Sequence, residues 1–130
     1  MKLSNRSKGQ IAALKVQLRA CEKEMLINIP SNNDIHYDVI LDNYKTKQII
    51  RAQIKFCNRL HGKKNLELRL DSRTTKRIFY RYTDIDLLLV YIPKKDVVLS
   101  YGKKFFHRKK RLEINLTNPN SKWFYKNFIW

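Results

Sequence analysis

The stretch Asp86-Leu87-Leu88-Leu89-Val90-Tyr91-Ile92, stopped by Pro93, constrains the fold more than any other part of the chain. Side chains along a strand alternate between its two faces, so a near-continuous apolar run buries both. Such a strand belongs in the middle of a sheet, with cover above and below. With 130 residues, the chain can form one domain around a sizeable core. Its apolar fraction of 43% is that of an ordinary globular protein, so the cover can come from the chain itself.

The rest of the sequence supplies that cover. Ser7 can cap a first helix, with Gln10 as its reciprocal partner. Ile11, Leu14, Val16, Leu18 and Cys21 then form an apolar stripe at roughly helical spacing, running to about Met25. Leu26 to Ile29 is short and apolar, and ends at Pro30. Tyr37 to Asp42 and Gln48 to Phe56 read as two strands joined by the turn Asn43-Tyr44-Lys45-Thr46-Lys47. Asn58 to Asn65 reads as an exposed loop. Leu66, Leu68 and Leu70 alternate with Glu67, Arg69 and Asp71, the pattern of a half-buried strand, and Ile78 to Tyr82 reads as its hairpin partner. Val97 to Tyr101 is a further strand, and Gly102 to Phe106 can open a short helix. Asn115 to Ser121 is a loop by composition. These pieces predict one α/β domain over 1–130, a mixed β-sheet flanked by helices.

Charge decides the class of partner. Lys and Arg number 28 against 11 Asp and Glu, a formal net charge of +17. That imbalance calls for a polyanion, and nucleic acid leads. A membrane surface is disfavoured, because no basic amphipathic helix or long apolar run stands out. The polar start Met1-Lys2-Leu3-Ser4-Asn5-Arg6 lacks the apolar stretch of a secretion signal. Cys21 and Cys57 form neither a close metal pair nor a redox motif, so both read as buried, reduced thiols. An intracellular setting, cytoplasm or organelle matrix, is expected.

Asp38 lies on the first strand of the early pair, and Gln53 and Lys55 lie on the second. Gln53 and Lys55 are two apart, so they point the same way. If the strands pair as a hairpin, an acid, an amide oxygen and an ammonium converge on one face. A carboxylate and a neutral oxygen suit a hard divalent cation, and a lysine beside it suits a scissile phosphate. His36 shares Asp38's strand but lacks the partners a zinc site requires. His61 and His107 read as surface donors.

The segments Lys8-Gly9-Gln10-Ile11-Ala12-Ala13-Leu14-Lys15, Ile29-Pro30, Tyr37-Asp38-Val39-Ile40 and Arg51-Ala52-Gln53-Ile54-Lys55 resemble, in that order, the PD-(D/E)XK endonuclease fold. More narrowly, they resemble the small homing endonucleases encoded in group I introns of cyanobacterial transfer RNA genes, which carry Gln where the usual acid precedes X-Lys. The likeness continues through Asp86 to Pro93 and covers about residues 8 to 100 by motif order. It implies a restriction-endonuclease-like core with Mg²⁺, or Mn²⁺ in its place. Asp38, Gln53 and the Ile54 carbonyl are then the metal ligands, and Lys55 is the catalytic lysine. The implied product is a site-specific double-strand cut made by a homodimer or homotetramer. One position departs from the pattern: the helix glutamate falls at Ala13. Glu22 lies on the opposite helix face, and Glu24 is about 16 Å along the axis. Strong binding and weak cleavage are expected.

The cations fall into three groups. Arg59, Lys63 and Lys64 lie in one loop, with His61. Arg69, Arg73, Lys76, Arg77 and Arg81 surround the expected hairpin. Lys103, Lys104, Arg108, Lys109, Lys110 and Arg111 lie near the end. A two-stranded ribbon fits the major groove of duplex DNA, so the hairpin is expected to read bases and the loops to hold phosphates. The aromatic end, Trp123 to Trp130, either closes the core or makes a subunit contact. The competing reading is a non-catalytic protein that binds DNA or RNA.

Overall fold

The computed structural model describes residues 2–32, 35–70 and 83–130. Helix α1 (Asn5–Glu22) is capped by Ser4, not Ser7: the Ser4 hydroxyl oxygen accepts from the Ser7 amide at 3.1 Å. Ser7 is therefore inside the first turn, because an earlier serine reaches the free amide. The helix stops before Met25. Glu24 takes a left-handed φ of 57°, and the Met25 amide turns back to the Ala20 carbonyl at 2.9 Å. This is the usual way to satisfy the last carbonyls of a helix. The buried stripe is Ala12, Val16 and Ala20: Val16 is buried as expected and Ile11 packs partly against the same cluster, but two alanines take the places expected of larger residues. Leu14 and Leu18 remain 55% and 57% exposed. Small side chains four apart let the helix lie close on the sheet, and that closeness outweighs hydrophobic size.

Five strands form the main sheet: β1 (Leu26–Asn28), β2 (Val39–Asn43), β3 (Gln48–Phe56), β6 (Leu87–Ile92) and β7 (Val97–Gly102), in the order β1-β2-β3-β6-β7. β2 and β3 pair antiparallel, β3 and β6 parallel, so the sheet is mixed. The expected two-sided strand is β6. Leu89 and Tyr91 pack toward α1, while Leu88, Val90 and Ile92 enter a second cluster on the opposite side.

That second cluster is roofed by a three-stranded sheet, β4 (Leu60–His61), β5 (Asn65–Arg69) and β8 (Arg111–Asn115), in the order β4-β5-β8. Leu66 and Leu68 of β5 and Leu112 and Ile114 of β8 point inward against Val90, Tyr101 and Phe106. β4 and β8 lie in stretches the sequence reading left without strands. The stretch 111–115 does alternate, but its turn-rich surroundings masked it. The expected hairpin partner 78–82 lies outside the described residues, as do Arg73, Lys76, Arg77 and Arg81.

Helix α2 (Lys103–Phe106) follows β7 as expected. A 3₁₀ turn, Tyr125–Phe128, seats the end of the chain. Tyr125, Phe128 and Trp130 are buried in the core, so these aromatics close it. Cys57 is buried, but Cys21 is exposed because it falls on the outer side of α1. No helix among the described residues is long and apolar enough to cross a membrane.

Candidate active site

β2 begins at Val39, so Asp38 sits just before the strand rather than on it. The Asp38 amide still joins the sheet, donating to the Ala52 carbonyl at 2.9 Å. Its Oδ2 turns to the next strand and accepts from the Ile54 amide at 2.8 Å. An extended residue sends its N–H and C=O to the same edge. The Ile54 carbonyl therefore opens on the edge where Asp38 lies.

The side chains of Ala52, Ile54 and Phe56 pack toward α1. Gln53 and Lys55 alternate with them and point to the other side, both half-buried. Lys55 is close enough to Asp38 for its charge to act on the carboxyl. Protein crowds the inner side of Asp38 while its outer side reaches solvent. The crowding pushes its pKa above the ordinary carboxylate range; the Ile54 amide and the Lys55 ammonium pull against it. Asp38, Ile54 and Lys55 thus meet at the end of β3, with Gln53 one residue before Ile54 on the same strand.

Beside them lies a cleft of about 460 Å³. Its walls are the first turns of α1 at Asn5, Lys8 and Gly9, the end of β3 from Ile54 through Arg59, and Glu67 to Arg69 of β5. Among the described residues, Lys8, Lys55, Arg59 and Arg69 face one acid, Glu67. The N-terminus of α1 adds a partial positive charge, with no acidic residue in its first turn to offset it. The cleft is built for an anion. Asn5, Lys8 and Glu67 escaped the sequence reading, because only the packing of α1 and β5 brings them here. Ala13 is half-buried and lies one turn beyond Gly9 on the same side of α1.

The other cations spread outward. Lys63 and Lys64 are exposed in the turn before β5. Lys103 is ion-paired to Asp86 at 3.2 Å, and the Lys104 ammonium lies 5.0 Å from the centre of the Phe105 ring. Arg108 is exposed, with a left-handed φ of 55°.

The donor set fits a hard cation only with help. Among the described residues no three His, Cys, Asp or Glu side chains come together as a metal site. One carboxylate, one amide oxygen and one carbonyl remain, all oxygen, as Mg²⁺ prefers. Mg²⁺ commonly takes one or two carboxylates and completes its shell with water and substrate phosphate. The residues fit that arrangement if DNA supplies oxygens.

Comparison with known proteins agrees with this geometry. The family model described as PD-(D/E)XK endonuclease matches residues 3–122. The solved structure of a bacterial homing endonuclease, I-Ssp6803I, superposes with a TM-score of 0.82 at 18% identity, covering 98% of this chain and 89% of that one. At that identity the likeness is one of fold. No curated protein sequence matches the chain.

Proposed function

Because the chain belongs to the PD-(D/E)XK endonuclease family, we propose that it makes site-specific, metal-dependent double-strand cuts in DNA, as an intron-homing endonuclease does. The observation that carries this reading is the Asp38 carboxylate held on the Ile54 amide and within electrostatic reach of Lys55, with Ile54 and Lys55 themselves lining a basic cleft.

Asp38, the Gln53 amide oxygen and the Ile54 carbonyl would hold Mg²⁺, with Mn²⁺ as a substitute. Such an ion, when bound, supplies Lewis acidity at the scissile phosphate and a water of lowered pKa. Asp38 spends one oxygen on the Ile54 amide, which fixes the carboxylate and leaves its other oxygen for the cation. Lys55 places its ammonium where negative charge grows on the phosphate as water adds. Lys8, Arg59, Arg69 and the N-terminus of α1 neutralise the phosphates alongside. Lys63, Lys64, Lys103, Lys104 and Arg108 extend the phosphate contacts outward. Of the hairpin group expected to read bases, Arg69 lines the cleft, so base reading falls to Arg73, Lys76, Arg77 and Arg81. Two cuts in one duplex require two such sites, hence a homodimer or homotetramer.

The test is cleavage-site selection on randomised duplex DNA, run with Mg²⁺ and with EDTA. Cleavage should require the metal. Lys55→Ala should lower it by about a hundredfold or more while the variant still binds duplex. Cleavage indifferent to both changes would overturn the proposal. A second reading has one observation in its favour: the metal-binding trio has a single carboxylate, and the helix position expected to add another is Ala13. On that reading the protein binds nucleic acid without cutting it. No selected product under any divalent ion would favour it.

A further inference from the structure

A second cavity, of about 400 Å³, opens on the outer face of the small sheet. It shares Glu67 with the cleft beside Lys55, so the two are neighbours. Its walls carry three kinds of chemistry. Glu67 and Glu113 are carboxylates directly opposite each other in the β5–β8 register. His61, Lys109 and Arg111 supply nitrogen donors, and Trp123 supplies an aromatic ring.

Like charges opposite each other on paired strands destabilise a sheet, so this pair is held by its neighbours. His61 Nδ1 lies 3.1 Å from Glu67 Oε2, Arg111 Nη1 lies 3.8 Å from Glu67 Oε1, and the Asn65 amide donates to Glu113. Trp123 is near-parallel to Phe128, with centroids 6.3 Å apart. The Lys109 and Lys122 ammoniums lie 5.1 and 5.5 Å from the Trp123 ring centre.

Each simple occupant meets an obstacle. A divalent cation lacks ligands among the described residues. A basic peptide would face Lys109 and Arg111. A bare phosphate would face two carboxylates. A nucleotide suits all three walls once the Lys109 and Lys122 ammoniums leave the Trp123 ring for its phosphate: the base then takes their place on the indole, and an exocyclic amino group donates to a carboxylate.

We propose that this cavity receives an unstacked nucleobase bearing an exocyclic amino group, with Glu67 and Glu113 as the acceptors that select it. Its role as the pocket for a base next to the scissile phosphate rests on the nuclease reading above. The base preference itself does not.

Short oligocytidylate and oligothymidylate of equal length test the preference at pH 8 in EDTA, by fluorescence anisotropy at fixed salt. Their backbones carry the same charge, so phosphate attraction cancels and only the base differs. Oligocytidylate should bind about fivefold tighter, the worth of one net hydrogen bond. Glu113→Thr and Glu67→Thr, each with thermal melting to verify folding, should bring the ratio toward one. Equal affinities in the unaltered chain overturn the proposal without any variant. A preference that survives in both folded variants overturns it too. Because the assay needs neither metal nor cleavage, a failed nuclease reading leaves its outcome intact, and the two failures are told apart.

Discussion

Asp38 has a carboxyl that folding makes harder to ionise, and that sets two expectations of opposite kind. Burial raises its pKa above the unfolded value, against the pull of the Ile54 amide and Lys55. An acid raised in this way favours folding when protonated. Its contribution is greatest below the unfolded pKa and falls as pH rises through the folded one. Asp38→Asn keeps an oxygen for the Ile54 amide and removes a partly desolvated charge. Its melting temperature at pH 7.5 should therefore not fall below that of the unaltered chain, while metal-dependent cleavage is lost. A drop of several degrees would show that the carboxylate is a structural necessity. Cleavage should also decline as pH is lowered toward the raised Asp38 pKa, since a protonated acid holds a cation poorly. The missing helix acid yields a sharper comparison. A side chain at Gly9 would meet open space beside the cleft, whereas one at Ala13 must reach back a turn. Gly9→Glu and Ala13→Glu should both raise metal-dependent cleavage, the former with a gain in helix stability of up to about 1 kcal/mol. No gain from either, on a selected target, would mean that the site does not use a helix carboxylate. The approach of Asp38 to Ile54 and Lys55 was legible because alternation and hairpin pairing are local rules. Glu67 and Lys8 were not, because nothing in their own segments announces which strand end they will face.

Strands β3 and β6 are clamped together through a pair that the sequence reading passed over. Arg51 donates to Asp86 from its backbone amide at 2.9 Å and from Nε and Nη2 at 3.1 Å each. Its Nη1 also donates to the Thr83 carbonyl at 2.9 Å, and Lys103 joins Asp86 at 3.2 Å. The Arg51 side chain is foremost in holding the Asp86 pKa down to about 2. An acid lowered in this way stabilises the fold above its unfolded pKa and loses that contribution as pH falls through the folded one. The window runs from the ordinary 3.8 down to about 2. Asp86→Asn should cost about 1 kcal/mol at neutral pH, after allowance for solvent around a partly exposed pair. The gap should close when both proteins are melted near the bottom of that window; a gap unchanged down to pH 2 would refute the charge explanation. Arg51 lies two residues before Gln53, so the same clamp fixes the strand that carries the site. Strand identity was mostly readable at this scale: β3 has the bounds its pattern predicted, and β6 its two buried faces. The small sheet was not, since β5 finds its partner more than forty residues away, in a segment whose turn residues hid a short alternation.

At the scale of the whole molecule, the net charge of +17 acts on DNA binding and on self-association with opposite sign. Each phosphate neutralised releases a counterion, so affinity for duplex falls steeply with salt. Two copies of a chain this basic repel one another, and salt screens that repulsion over a Debye length of about 8 Å at physiological ionic strength. Raising salt from about 50 to 200 mM should therefore weaken duplex binding by a thousandfold or more if six or more phosphates are held. Over the same range, self-association measured by sedimentation should hold or strengthen. DNA has the converse effect: a duplex supplies the negative charge that lets two basic chains approach. Sedimentation with a selected target should give at least two chains per duplex even where the free protein is dispersed. One chain per duplex, with both strands cut, would require a single site to act twice. If self-association and duplex binding weakened together as salt rose, the contacts between copies would themselves be ionic, and charge would not oppose assembly.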